Sequence, residues 1–109
     1  MAYNEELAER MRAQLKSTRG VVEKKMFGGI GFLVNGNMAC GVNRQDLIVR
    51  LSDDDFEKAI KQSHARIFDA MGKPMKGWLL VAPEGCASDK ALQSWMEKGI
   101  AFAKSLPKK

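Results

Sequence analysis

Apolar and polar residues recur along the chain with two different periods, which separate helices from strands. Apolar residues three or four positions apart predict a helix over residues 5–17, and Asn4 is a suitable N-cap for it. The same spacing predicts a short helix that begins after Ser52 and ends near Gln62. A longer helix begins after Ser88 and ends before Pro107.

A period of two residues predicts strands between these helices. Four of them, at 21–27, 30–34, 38–42 and 47–51, separate the first two helices, and two more, at 65–69 and 77–82, precede the last helix. Asn35-Gly36 predicts a two-residue hairpin turn, because both residues tolerate a positive φ. The predicted order is therefore α-β-β-β-β-α-β-β-α.

This order predicts an α+β fold, a two-layer sandwich in which helices cover one side of a mainly antiparallel sheet. The strands form a meander, since the connections are too short for parallel crossovers. The 109 residues are enough for one core, and no linker, repeat or low-complexity segment divides them. We therefore expect a single domain spanning 1–109.

The amino-acid composition indicates the class of protein to which the chain belongs. With 45% hydrophobic and 28% charged residues and no run of about 18 apolar residues, the chain is typical of a soluble protein without a membrane span. Acidic residues stand where a signal peptide needs basic ones, so we expect a cytoplasmic protein. Cys40 and Cys86 lack CxxC spacing and are expected to be free, buried thiols, although Cys86 follows Gly85 and could be exposed on a loop.

Three glycines within four positions interrupt the meander at residues 26–32. The segment lacks the GKS or GKT ending of a phosphate-binding loop and lies between two strands, so it predicts a structural bend or bulge. Asp53, Asp54 and Asp55 suit a helix start better than a calcium loop. His64 is interpreted as a polar residue at a helix end. No residue set predicts a catalytic, cofactor-binding or metal site.

The net charge of +5 is concentrated in one window. Residues 10–25 hold six basic residues and one acidic residue, whereas the rest of the chain is balanced. Glu6 is positioned to pair with Arg10, but Arg12 and Lys16 have no acidic residue four positions away. The candidates for contact with phosphates are Arg12, Lys16, Arg19, Lys24 and Lys25. A merely solvated face is the plainer interpretation, because no helix-turn-helix or RNP motif accompanies them.

Several segments together resemble the N-terminal domain of the TfoX/Sxy family. They are Met26-Phe27-Gly28-Gly29, Gly31, Asn35-Gly36, the strand at 47–51 and residues 72–78. The first of these is the most specific marker, and it is a family signature, not an active site. The resemblance implies an α+β fold with an antiparallel sheet, and it brings no catalytic residue.

Full-length members of that family are regulators of natural competence that assist a cyclic-AMP receptor protein at promoters and carry a second, C-terminal domain. This chain ends at Lys109 without that domain, so we expect a stand-alone member, whose role in competence does not follow from the fold. The leading hypothesis is a non-enzymatic regulator that acts on a protein partner, with a homodimer left open. The alternatives are direct nucleic-acid binding through the basic first helix, and a small-molecule or enzymatic site near the glycine segment and Cys86.

Overall fold

The computed structural model describes residues 3–26, 29–69 and 74–107. These residues form α1 (Glu5–Leu15), β1 (Val21–Met26), β2 (Gly29–Val34), β3 (Asn37–Asn43), β4 (Asp46–Arg50), α2 (Asp53–Ala59), β5 (Ala65–Phe68), β6 (Met75–Val81) and α3 (Asp89–Ser105). A short 3-10 helix, Pro83–Cys86, links β6 to α3. The element order predicted from the sequence is confirmed, although α1 and α2 end a few residues earlier than expected.

The strands form one six-stranded antiparallel sheet with the order β1-β2-β3-β4-β6-β5. α1 and α3 pack on the sheet, and α3 lies mainly against its central strands β3 and β4. The predicted α+β sandwich is therefore confirmed. Because β6 pairs with both β4 and β5, the sheet has β1 and β5 as its two edges. None of the described helices has the length and apolarity needed to cross a membrane.

Each α-helix begins at a side-chain cap that the sequence indicates. Asn4 Oδ1 accepts a hydrogen bond from the Leu7 amide (3.1 Å), and Ser52 Oγ accepts one from the Asp55 amide (3.3 Å). Ser88 Oγ accepts one from the Ala91 amide at 3.0 Å. Such caps satisfy donors that the first helical turn leaves free, and each contributes about 1 kcal/mol.

The turn between β2 and β3 is fixed at both its ends. Asn35 and Gly36 have φ values of 54° and 83°, which confirms the predicted hairpin turn. The next residue, Asn37, is buried, and its Nδ2 donates to the Pro107 carbonyl oxygen at 3.0 Å. This hydrogen bond ties the turn to the end of α3. It therefore fixes the position of that end of the helix relative to the sheet.

A register shift in the β2–β3 ladder places nearby residues of β3 in two different apolar clusters. Phe32 faces Cys40 whereas Leu33 faces Met38, so Ala39 is an extra residue on β3. A strict period of two over 38–42 predicts that Met38 and Cys40 lie on the same face of the sheet, and the extra residue makes this prediction wrong. Cys40 packs in the main core beneath the helices, and Met38 joins a smaller cluster. The smaller cluster consists of Met38, Ile48, Phe68 and Leu80.

Candidate interaction surface

Arg12 of α1 is held by two acidic residues. Its Nε and Nη2 donate to the two carboxylate oxygens of Glu23 on β1 at 2.7 and 2.8 Å, and its Nη1 contacts Glu9 one turn earlier. This hydrogen-bonded pairing holds the pKa of Glu23 below its usual 4.5 and raises the pKa of Arg12. Arg12 has no acidic residue four positions away, as the sequence indicates, but it still has two acidic partners, one three residues earlier and one on a strand.

Arg10 contacts the start of α3. Its Nη2 donates to the carbonyl oxygens of Cys86 and Ala87 at 3.1 and 3.0 Å, and its Nε lies 3.3 Å from Asp89 Oδ1. The predicted pair between Glu6 and Arg10 is wrong, because the Arg10 guanidinium satisfies these backbone carbonyls instead. Arg10 is therefore a structural link between α1 and α3.

The other four cations of the basic window are exposed, and none has an ion pair with the described residues. Lys16 and Arg19 lie in the segment that joins α1 to β1, and Lys24 and Lys25 lie on β1. The fold therefore brings these cations to one edge of the sheet. The uncompensated charge that the sequence indicated belongs to this edge, and not to one face of α1.

Alternation along β1 divides its side chains between the two faces of the sheet. Val21 packs against the main core and Glu23 meets α1, so Lys25 lies on the helical side. Lys24 and Val22 lie on the opposite side, where Val22 is 51% exposed. The five residues predicted to contact phosphates thus do not form one flat face.

The backbone of β1 also has an unpaired side. The Asn35 amide donates to the Gly20 carbonyl oxygen at 3.2 Å, which sets the alternation of the β1–β2 ladder. Val22 and Lys24 accordingly bond to β2, while the N–H and C=O groups of Val21, Glu23 and Lys25 point away from the sheet. No described strand lies on that side. We use the term cationic edge for β1 together with Lys16 and Arg19.

The two thiols are poor candidates for chemistry. Cys40 is fully buried, and burial raises its pKa to about 12. Cys86 is buried in the 3-10 helix, so the expected burial of both free thiols is confirmed and the alternative of an exposed loop position is wrong. Burial also raises the pKa of Cys86, and the nearby Arg10 offsets only part of that shift. The unreactive thiol form is therefore favoured for both.

The other side chains that could take part in catalysis or metal binding do not lie close together. A cavity of about 220 Å³ beside Cys86 is lined by residues of α1 and of the 3-10 helix, and no described residue of the glycine segment lines it. His64 is exposed, and the aspartates at 53–55 form the first turn of α2. In the part of the chain that the structure describes, no three His, Cys, Asp or Glu side chains are grouped to hold a metal ion.

A groove with a volume of about 610 Å³ lies between α1 and α3. Its walls carry both signs of charge, because Arg10 and Lys90 lie near Asp89 and Glu97. Gln14 Nε2 donates to the Asp89 carbonyl oxygen at 3.4 Å, and Gln14 Oε1 is buried without a hydrogen-bond donor among the described residues. The groove thus has no net preference for an anion or a cation.

The family model of the TfoX N-terminal domain matches residues 13–103, from the last turn of α1 to the last turn of α3. The chain belongs to the TfoX N-terminal domain family. No curated protein and no solved structure gives a significant match. The predicted family is confirmed, and the matched residues of this TfoX-type domain include the whole cationic edge.

The first and last residues of the family signature, Met26 and Gly29, pair with each other in the β1–β2 ladder. Phe27 and Gly28 lie outside the described residues, and so does the bend predicted at that point. A side chain at Gly29 would collide with the carbonyl oxygen of Val42 on β3. This close approach gives Gly29 a structural reason for being glycine.

Sequence patterns did not identify β1 as an edge of the sheet. One usable signal was present, because consecutive lysines in a strand are typical of edges that must avoid pairing with other chains. The single acidic residue of the window, Glu23, was a second signal. An isolated carboxylate among cations is available as an ion-pair partner for one of them.

Proposed function

We propose that this TfoX-type domain is a non-enzymatic cytoplasmic regulator that acts through contacts with a protein partner, in transcriptional control of the competence type. The observation that carries the proposal is the cationic edge, where a strand of six residues has an unpaired backbone side and exposed cations. Family membership supports the regulatory role. The raised pKa values of both thiols support a role without nucleophilic catalysis.

Direct nucleic-acid binding is the second candidate, because the same cations could neutralise phosphates. The arrangement favours a protein. Glu23 and Glu9 compensate the charge of Arg12, and Lys24 and Lys25 lie on opposite faces. A phosphate backbone that docks on one face would therefore meet only part of the charge.

Site-specific photo-crosslinking tests the choice between the two. A photoreactive residue replaces Val22 on β1, and a matched control carries it at Lys61, which is exposed beyond α2. We expect protein adducts in a lysate of the source organism from position 22, resistant to nuclease, and few from position 61. Adducts made only of nucleic acid would support the second candidate and overturn the first.

The transcriptional part has its own test. Transcript levels are compared in cells that have or lack the protein, under otherwise equal growth conditions. We expect a defined set of transcripts to change, and to be restored by the wild-type chain but not by a variant in which Lys24 and Lys25 are both Glu. Unchanged transcripts would contradict the regulatory role. A turnover activity found in a substrate screen would contradict the non-enzymatic part.

A further inference from the structure

We infer that the cationic edge binds an extended acidic segment of the partner protein, which joins the sheet as an additional strand beside β1. This inference rests on the proposed function, since it requires a protein partner, and it adds the conformation and the charge of the segment that is recognised. It commits to one occupant of this edge, an acidic strand.

The backbone of β1 is a suitable template for such a strand. All six residues pair with β2 in an unbroken register, from Val21 opposite Val34 to Met26 opposite Gly29. The strand contains no proline. The outward N–H and C=O groups of Val21, Glu23 and Lys25 therefore form a regular row, and an added strand obtains its affinity from such main-chain groups.

Charge selects which strand is accepted. Neighbouring residues of an added strand point to opposite faces of the sheet, as Lys24 and Lys25 do. Two consecutive acidic residues in the partner can therefore meet both lysines, one on each face. Glu23 opposes an acidic strand only weakly, because Arg12 holds its carboxylate by two hydrogen bonds.

The same geometry disfavours a second copy of this chain. In antiparallel self-pairing, residues whose backbone groups point outward must face each other, so Val21, Glu23 and Lys25 pair among themselves. Of the two registers centred on the strand, one sets Glu23 opposite Glu23. The other sets Lys24 opposite Lys24 and Glu23 opposite Lys25, but Arg12 already holds the Glu23 carboxylate. Like charges directly opposed destabilise a strand pair. An acidic strand from another protein has no such conflict.

Amide exchange in the purified domain tests the inference directly. The probe is a labelled ten-residue peptide of Glu, Thr and Val, and a peptide with Lys in place of Glu is its control. We expect the acidic peptide to bind, with an affinity that falls as salt rises. We also expect the Val21, Glu23 and Lys25 amides to exchange at least tenfold more slowly when it is bound. Absence of binding, or binding without slower exchange at these amides, would overturn the inference.

Two substitutions at one position separate backbone pairing from charge. Lys25→Pro removes an outward N–H but leaves the β2 ladder intact, and Lys25→Gln removes only the charge. We expect the first to weaken peptide binding tenfold or more and the second about two- to threefold, with both variants still folded by thermal unfolding. Equal weakening by the two variants would overturn strand addition.

The crosslinking experiment distinguishes the two possible failures. If the Lys25→Pro chain still gives the wild-type protein adducts from position 22, the partner does not add a strand, and this inference fails while the proposed function stands. If wild-type adducts contain only nucleic acid, the proposed function fails, and this inference fails with it.

Discussion

The two edges of the sheet are built in different ways. β5 has four residues, its register with β6 shifts between Ile67 and Phe68, and Phe68 is fully buried. β1 has six residues in an unbroken register, and Val22 is 51% exposed. A short, irregular strand is a poor template for pairing, whereas charge is the protection that β1 carries. Charge excludes some partners and attracts others, so β1 is the selective edge.

Side-chain truncation gives the largest expected contrast between the edges. Phe68→Ala removes a fully buried ring from β5 and should lower the free energy of unfolding by about 3–5 kcal/mol. Val22→Ala on β1 removes an exposed side chain and should change it by less than about 0.5 kcal/mol. Urea unfolding of the two variants measures both values. Similar losses would show that β1 is anchored by its side chains as β5 is.

Proline substitution on β1 gives the next contrast. Lys24→Pro removes an amide that bonds to β2 and should cost about 3 kcal/mol or more, whereas Lys25→Pro removes an outward amide and should cost less than about 1 kcal/mol. Thermal and urea unfolding measure the difference. Equal losses of unfolding free energy in the two proline variants would contradict the backbone orientation assigned from the Gly20–Asn35 hydrogen bond.

Local patterns were sufficient for the elements but not for the edges. Among the described residues, periodicity and caps located the three α-helices and the six strands but not the 3-10 helix, since these signals depend on residues only a few positions apart. The place of β6 between β4 and β5 depends on how distant strands pack, which no local pattern encodes. The extra residue at Ala39 is likewise invisible in the alternation, which predicts Met38 and Cys40 on the same face.

The ion pairs of the surface, like the strand order, depend on distant residues that local patterns do not bring together. A helix pattern can pair residues four apart, as predicted for Glu6 and Arg10. Arg12 does pair with Glu9 within the helix, but the pairs that join different elements link Arg12 to Glu23 and Arg10 to Asp89, which are 11 and 79 residues apart in sequence. The sequence therefore indicated the total of the excess charge but not which cations would be left exposed.

The Arg12–Glu23 ion pair links α1 to β1. Its loss should lower the free energy of unfolding by less than Phe68→Ala or Lys24→Pro does. Both side chains are about one-third exposed, at 35% and 37%, so solvent screening limits the gain despite the two hydrogen bonds. We expect Glu23→Gln to lower the free energy of unfolding by about 1 kcal/mol at neutral pH. Glu57→Gln, which breaks a long pair with Lys76 on the exposed surface, is the control and should cost less.

The pH dependence of that loss checks its cause. The pKa of Glu23 is lowered in the folded state by Arg12, so the stabilisation is present above the usual value of 4.5 and disappears as the pH falls through the folded-state value. The difference in unfolding free energy between the wild type and Glu23→Gln should therefore begin to close as the pH is lowered below that usual value. A difference that stays constant over the same range would mean that Glu23 acts through packing and not through its charge.

Removing the lysine charges of β1 should have the smallest effect on stability. It is also the most direct test of the contrast between the two edges of the sheet. A double variant with Lys24→Thr and Lys25→Thr keeps a strand-forming sequence but no longer sets lysine against lysine when two copies pair. We expect its stability to change by less than about 1 kcal/mol, while light scattering at rising concentration shows more self-association than the wild type. Arg66→Thr on β5 is the matched control and should not associate, because a short strand with a shifted register is a poor template even without its cation. Equal association of the two variants would mean that charge does not distinguish the edges, and the preference of β1 for an acidic strand would lose its physical basis.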